Sequence, residues 1–488
     1  MKKFRGVLPF IIVTLLALVL RLYMLLGPMN PIEADQSMVG IMAMHILQGE
    51  RPFFFYGQSY YGPLDAYITA PLIAIFGPDR LIIRVAALTF SLIFIWVTYW
   101  VGKRIYSQQV GWYSALYAAF PPFMLMFRGL MADADYIMLL IAGNLALLMF
   151  HSWLAKPSIL KFLGVFFWTA LGFWFHPVMG YYVLAMFVVW MVGRKMPNRL
   201  VEPGIADHSL GLLPAKLVGI SASTAWGYLL ILGTVTLPVI FGFLVPPPYA
   251  DRDLGAQFVL RGPLLDTLAV ILSASIVILV GWTSIKLIRQ GNALLPIFAF
   301  FTLYVFVMFS MFVQVKVDSL TLPRYLMPIY SAIPLGIYAL FDLTQRWTWL
   351  RPFFMGGLLL INIYGDVTMK PAPAPYELLD WLVRKPGISY VYTDYWTGYW
   401  LAFESRERVI PAIFDENNRP GENRYPKYWQ QVRETENPLY IYREGEANAH
   451  EFRSILDQNG VQYRQTNVAG YEIYSNLSRL VVYPLQLK

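Results

Sequence analysis

Cysteine is absent from all 488 residues, and that single absence removes disulfides, thiolate metal sites and thiol nucleophiles together. Charge is scarce too. Asp, Glu, Lys and Arg make up 14% of the chain against 57% hydrophobic residues, too little for the polar shell of an ordinary soluble protein. No internal repeat, heptad array or similarity between inverted halves is visible, which counts against the repeated architecture common among secondary transporters. No small-residue cleavage site follows the first apolar run, 7–26, so that run is expected to be a retained span and not a signal peptide.

What the chain has instead is a series of apolar runs of roughly 17–25 residues, each bounded by charge or by Pro and Gly. About eleven spans are expected, near 7–26, 81–101, 111–127, 134–153, 160–176, 177–193, 222–245, 266–286, 293–313, 323–342 and 350–367. The net charge of +8 raises the question of nucleic acid, but much of the Lys and Arg falls between apolar runs, where it reports topology. Lys2, Lys3 and Arg5 place the N-terminus in the cytoplasm, and each loop that then returns to that side is basic, from Lys103 and Arg104 to Arg346 and Arg351. An odd count places the C-terminus outside. The expected location is the plasma membrane.

From Lys370 the composition changes. "KPAPAP" reads as a linker, so a transmembrane domain over 1–369 and an extracytoplasmic soluble domain over 370–488, about 115 residues, are expected. Segments 388–393, 438–443 and 471–474 read as strands; 376–384 and 447–458 read as helices, the latter ended by Gly460. That order predicts a small α/β domain.

The first outer loop, 27–80, is too long for a mere connection. Within it, 36–48 carries Val39, Met42, Ala43 and Ile46 at helical spacing, with Asp35 at the N-cap position and Gly49 just past the end. An amphipathic helix lying on the membrane surface is expected. The aromatic stretch 53–61 and a second apolar run, 65–76, follow.

"LRLYML", "DQSMVGIMAMHIL", "YGQSYYGPLDAYI", "FGPDRLIIRVAAL" and "PRYLMPIY" together resemble the pattern of the GT-C glycosyltransferases of family 39, the protein O-mannosyltransferases and lipid A aminoarabinose transferases. The resemblance implies a polytopic helical membrane fold, a sugar donor carried on a polyprenyl phosphate, an acceptor hydroxyl and an outward-facing active site. It makes Asp35 the general base. The family's following Glu is Gln36 here, with Glu33 two residues upstream. Where the aminoarabinose transferases carry Glu-Lys-Pro after an aromatic pair, Gly62 and Pro63 follow Tyr60 and Tyr61, leaving Asp65 as the nearby acid. The family also places an acid near the start of the fourth span, where Asp133 and Asp135 both stand, and at times a phosphate-contacting turn near the place held by His176.

The residue types suit that chemistry. A hydroxyl is a poor nucleophile, so a carboxylate must accept its proton as the bond to the anomeric carbon forms. The departing lipid phosphate calls for cationic stabilisation, from Arg or Lys at the outer edge or from a divalent metal ion. Arg324 heads the tenth span, and Arg21 lies inside the first, where an unpaired charge costs a few kcal/mol. Each candidate has a plainer alternative: capping for Asp35, Asp133 and Asp135, a hydrogen-bonded structural role for His176, snorkelling for Arg324, and an interfacial belt for Tyr60 and Tyr61. The rival functions are an ion-coupled secondary transporter, another lipid-linked-sugar enzyme such as a polysaccharide polymerase or ligase, and a noncatalytic scaffold.

Overall fold

The structure is a computed structural model that describes residues 2–132, 135–194, 327–369, 374–483 and 485–487. Its helices run in chain order as α1 (Lys2–Leu26), α2 (Ala34–Leu47), α3 (Leu64–Phe76), α4 (Arg80–Ile105), α5 (Gln108–Ala119), α6 (Phe123–Leu130), α7 (Tyr136–Ala155), α8 (Ile159–Phe175), α9 (Gly180–Arg194), α10 (Ile333–Leu343) and α11 (Leu350–Val367). After these come α12 (Tyr376–Val383), β1 (Ser389–Thr393), α13 (Tyr395–Glu404), β2 (Val409–Ile413), α14 (Pro426–Glu434), β3 (Leu439–Arg443), α15 (Ala447–Gln458), β4 (Arg464–Val468) and β5 (Tyr471–Ser475). A short pair, β6 (Val481–Val482) and β7 (Gln486–Leu487), closes the chain.

Contacts divide the chain into two compact units, one comprising 1–28, 87–130 and 134–370, the other 29–86, 131–133 and 371–488. The second unit therefore gathers residues 29–86 with residues 371–488.

In the first unit, helices dominate. Among the described residues, three helices are long and apolar enough to cross a membrane: Leu8–Leu26 of α1, α4 and α7. The run expected as one span over 111–127 is two helices. Pro121 and Pro122 follow Phe120, and a proline inside a helix removes a backbone donor, so α5 ends before the pair and α6 starts after it. The 177–193 run begins as a 3-10 turn, Pro177–Met179, before α9. The described part of the 323–342 run is likewise a 3-10 segment, Met327–Ala332, continued by α10. The expected spans 222–245, 266–286 and 293–313 lie outside the described residues, as do most of the residues of "KPAPAP".

The second unit is built on a five-stranded sheet in the order β2-β1-β3-β5-β4. β1 pairs in parallel with both β2 and β3, in register Val391↔Pro411 and Val391↔Leu439, as helix-connected strands do. β5 turns back antiparallel to β3 and to β4. The β4–β5 hairpin turns through Ala469 and Gly470, both at positive φ (49° and 79°), the combination a tight two-residue hairpin demands. Buried aromatics fill the layer beside the sheet: Tyr392 stacks on Tyr440 at 5.2 Å and Phe414 on Tyr483 at the same distance.

The amphipathic surface helix expected over 36–48 is corrected by the same unit. Most of α2 is buried, including Gln36, Ser37 and His45 as well as most of its apolar residues, because α3 and α13 pack against it. Gly40 permits that approach. A Cβ there would sit 2.2 Å from the Phe403 ring of α13.

Candidate active site

The start of α2 shows what Asp35 does. Glu33 occupies the N-cap position with extended backbone, and its carbonyl accepts from Ser37 N at 2.9 Å to close the first turn. Asp35 is thus one residue inside the helix. It is not the N-cap that its spacing predicted, and no side-chain cap bond forms at this end. A carboxylate in the first turn is still favoured by the helix dipole. Its Oδ1 accepts a hydrogen bond from the Tyr395 hydroxyl and another, at 3.3 Å, from Nη2 of Arg424.

Local structure explains how these partners arrive. Asp394 caps α13 by accepting from the backbone N of Trp396 at 3.0 Å and Thr397 at 3.1 Å, which fixes Tyr395 as the first helical residue. Arg424 lies just before α14. Its backbone N donates to the Tyr399 hydroxyl at 2.5 Å, its Nε donates to the Tyr395 hydroxyl at 2.9 Å, and its guanidinium rests over the Tyr395 ring at 5.4 Å. Gly57, at φ +70°, lets the segment before α3 pass Arg424, whose Cα would stand 2.9 Å from any Cβ there. Burial first, and then the Asp35 charge, hold the Tyr395 phenol well above its ordinary range, so this hydroxyl stays protonated and donates. The Asp35 side chain retains 23% exposure, whereas Arg424 retains 5%.

Toward the other end of α2 stands a second polar group. His45 Nε2 meets Glu407 Oε1 at 2.8 Å, and the Tyr428 hydroxyl donates to the same oxygen at 2.6 Å. Glu50 accepts from Tyr425 at 2.7 Å, from Lys427 at 2.8 Å and from the Tyr56 hydroxyl. Burial alone would raise the Glu50 carboxyl, but the donors Lys427, Tyr56 and Tyr425 outweigh it and hold the group down at about 2.

Gln36, where the motif's second acid would stand, is also engaged. Its Oε1 accepts from Arg84 Nε at 2.7 Å, and the same guanidinium donates to the carbonyls of Met29 and, at 3.1 Å, Pro31. A Glu at this position would pair with Arg84; a Gln keeps the hydrogen bond without the charge.

The remaining sequence candidates fare unevenly. Asp65 is buried in the first turn of α3. Tyr61 is buried and stacks on Phe55 at 4.9 Å, while Tyr60 is exposed. These belong to the same unit as Asp35. Arg21, Asp135 and His176 belong to the other. Arg21 Nε donates to Ser91 Oγ at 2.8 Å and its Nη atoms to the carbonyls of Ala17, Ala119 and Ala118 at 3.2, 2.8 and 3.1 Å, capping the end of α5. The Asp366 carboxylate of α11 interacts with it electrostatically. His176 Nδ1 accepts from Val178 N at 3.1 Å, and its ring lies 5.0 Å from that of Tyr136, which is the structural role set beside its phosphate reading. Asp135 is buried at φ 51°, a left-handed conformation that Asp tolerates better than most residues, immediately before α7. Asp133 and Arg324 lie outside the described residues.

Sequence reasoning missed Tyr395, Arg424, Arg84 and Asp366. Asp366 is fully buried, and neither of its oxygens makes a hydrogen bond among the described residues. Arg84 and Asp366 carried a signal, each being an ionisable residue inside an apolar run. Tyr395 and Arg424 carried none.

As for a metal ion, among the described residues no three His, Asp or Glu side chains gather as ligands, and the Arg424 guanidinium beside Asp35 opposes a second cation there. The residues described do not fit one. An open hollow of about 500 Å³, lined by Gln430, Arg433, Glu434, Thr435, Glu436 and Leu480, takes in none of the Asp35 group.

Residues 61–226 match a family model described as dolichyl-phosphate-mannose-protein mannosyltransferase. Over that stretch the resemblance to the GT-C family stands. The matched stretch contains Asp65, Arg84, Asp133, Asp135 and His176 and begins after Asp35. Among solved structures, the chain is similar to ArnT from Cupriavidus metallidurans bound to undecaprenyl phosphate, at TM-score 0.49 and 12% identity, covering 97% of this chain and 98% of that one. It is also similar to the oligosaccharyltransferase AglB from Archaeoglobus fulgidus, in complex with an inhibitory peptide and a dolichol-phosphate, at TM-score 0.47 and 12% identity, covering 96% of this chain and 74% of that one. No curated protein matches the chain.

Proposed function

We propose that this chain is an inverting glycosyltransferase that moves a sugar from a polyprenyl-phosphate donor to an acceptor hydroxyl on the extracytoplasmic side of the membrane, with Asp35 as general base. The acceptor oxygen attacks the anomeric carbon opposite the phosphate and the carbon–phosphate-oxygen bond breaks. Its electron pair leaves on the phosphate, and the hydroxyl proton passes to Asp35. The reading includes about eleven spans, a cytoplasmic N-terminus and an extracytoplasmic C-terminal segment, with Arg324 as a phosphate partner and Asp135 or Asp133 as supporting acid.

The observation that carries it is the state of Asp35: a carboxylate at a helix start that is not used for capping, is gripped through one oxygen, and keeps access to solvent. The family-model match supports the reaction class.

One observation favours a second reading. A fully buried carboxylate in an apolar helix, such as Asp366, is what an ion-coupled transporter would carry. Purified protein incubated with polyprenyl-phosphate sugars tests the first reading by release of polyprenyl phosphate. Full turnover by folded Asp35→Asn protein would overturn the base assignment, and a sodium-driven solute flux in proteoliposomes would favour transport.

A further inference from the structure

Asp35 binds its partners through one oxygen only. Both donors, the Tyr395 hydroxyl and Arg424 Nη2, reach Oδ1, and Oδ2 makes no hydrogen bond among the described residues. The two donors are themselves tied together, because Arg424 Nε donates to the Tyr395 oxygen. That oxygen therefore accepts from a cation while donating to a carboxylate, an arrangement that polarises the hydroxyl and strengthens its grip. Both donors are held from behind, Tyr395 by the Asp394 cap and Arg424 by Tyr399 and by the passage of Gly57.

We propose that Tyr395 and Arg424 are positioning residues for Asp35, fixing Oδ1 so that Oδ2 is presented to the acceptor hydroxyl. The proposal rests on the glycosyltransferase reading and extends it: the segment after residue 374 completes the site. The proton has to be taken only as the new carbon–oxygen bond matures. The groups facing Asp35 are few. From α13 comes Tyr395, and from the loop before α14 comes Arg424, which also meets Glu422 at 3.2 Å. From α3, also packed on α2, the ionisable residues are Asp65 and Tyr67, and the Tyr67 hydroxyl is taken up by the Pro52 carbonyl at 3.0 Å.

The test compares full-length Tyr395→Phe, Arg424→Gln and Arg424→Lys with wild type and Asp35→Asn, using undecaprenyl-phosphate mannose as probe donor. Tyr395→Phe keeps the ring and its packing, so a tenfold or greater fall in kcat with KM within twofold is expected. Arg424→Gln is expected to lower kcat per folded protein likewise, and Arg424→Lys to restore it. A purely structural role would leave kcat per folded protein unchanged. Unchanged kcat per folded protein in both Tyr395→Phe and Arg424→Gln, beside an inactive Asp35→Asn, would overturn the positioning role while leaving the transferase reading intact. Full activity in Asp35→Asn would instead remove the reading beneath it. A second measurement needs no turnover: modification of Asp35 by a water-soluble carbodiimide with glycine ethyl ester, read by mass spectrometry. Loss of the cation should raise its rate several-fold in Arg424→Gln, and an unaltered rate would count against the proposal whatever the donor.

Discussion

Arg21 and Asp35 are both charged side chains on helices of their own units, and their surroundings differ in one respect. Arg21 is buried and commits Nε, Nη1 and Nη2 to Ser91 and to the carbonyls of three alanines. Asp35 is partly exposed and commits a single oxygen. A group whose hydrogen-bonding capacity is filled by the protein holds structure together; one that is fixed and half-filled has capacity left for a ligand. Charge in an apolar sequence marks both, but only the count of partners separates them.

The largest expected effect tests that division directly. Asp35→Asn should lower turnover by roughly a hundred- to ten-thousand-fold, the range for a lost general base, with a thermal midpoint close to wild type. Arg21→Met should do the reverse. Removing a guanidinium that closes the end of α5 leaves buried carbonyls unsatisfied, and a loss of about 3 kcal/mol is expected in denaturation of the detergent-solubilised protein. Kinetics that track the surviving folded fraction would accompany it. If Arg21→Met lost catalysis while remaining stable, the division between filled and half-filled groups would fail. A smaller effect comes from the packing that brings Asp35 to its partners. Gly40→Val would drive side-chain atoms into the Phe403 ring, costing about 1–3 kcal/mol by overpacking. Because α13 also carries Tyr395, turnover should fall beyond what the stability loss explains.

The contrast also shows what a sequence can and cannot display. Helices α1, α4, α7 and α8 were legible because a long apolar run is written into consecutive residues. β2 was not, since "VIPAI" holds Pro411 and a proline argues against a strand; the chain accommodates it on the sheet edge, where a missing donor does no harm. α13 escaped notice because Gly398 interrupts an aromatic run with no clear face. β4, "RQTNV", is a polar edge strand without alternation. α2 was recognised as a helix and misjudged in its surroundings, because burial of Gln36 and His45 depends on Arg84 and Glu407, which no local pattern announces. The candidate site follows the same rule. Asp35 stood out through its motif, whereas Tyr395 and Arg424 lie 360 and 389 positions away and are joined to it only by folding.

The smallest effect sharpens the comparison within one unit. Glu50, just past the end of α2, is a carboxylate like Asp35, but both of its oxygens are taken, by Tyr425 and Lys427 on one side and Tyr56 on the other. It should therefore behave as Arg21 does. Its carboxyl is held at about 2, below the ordinary 4.5, so it contributes stability that is fully present above pH 4.5 and is lost as pH falls toward 2. The group is partly exposed and screened, so the loss should appear as a shift of only about 1–2 °C in the thermal midpoint across that window. Glu50→Gln should flatten this pH dependence and leave turnover within twofold of wild type. A Glu50→Gln protein that folds normally yet turns over tenfold more slowly would show that a filled carboxylate can also serve the reaction, and counting partners would then no longer distinguish the two kinds of group.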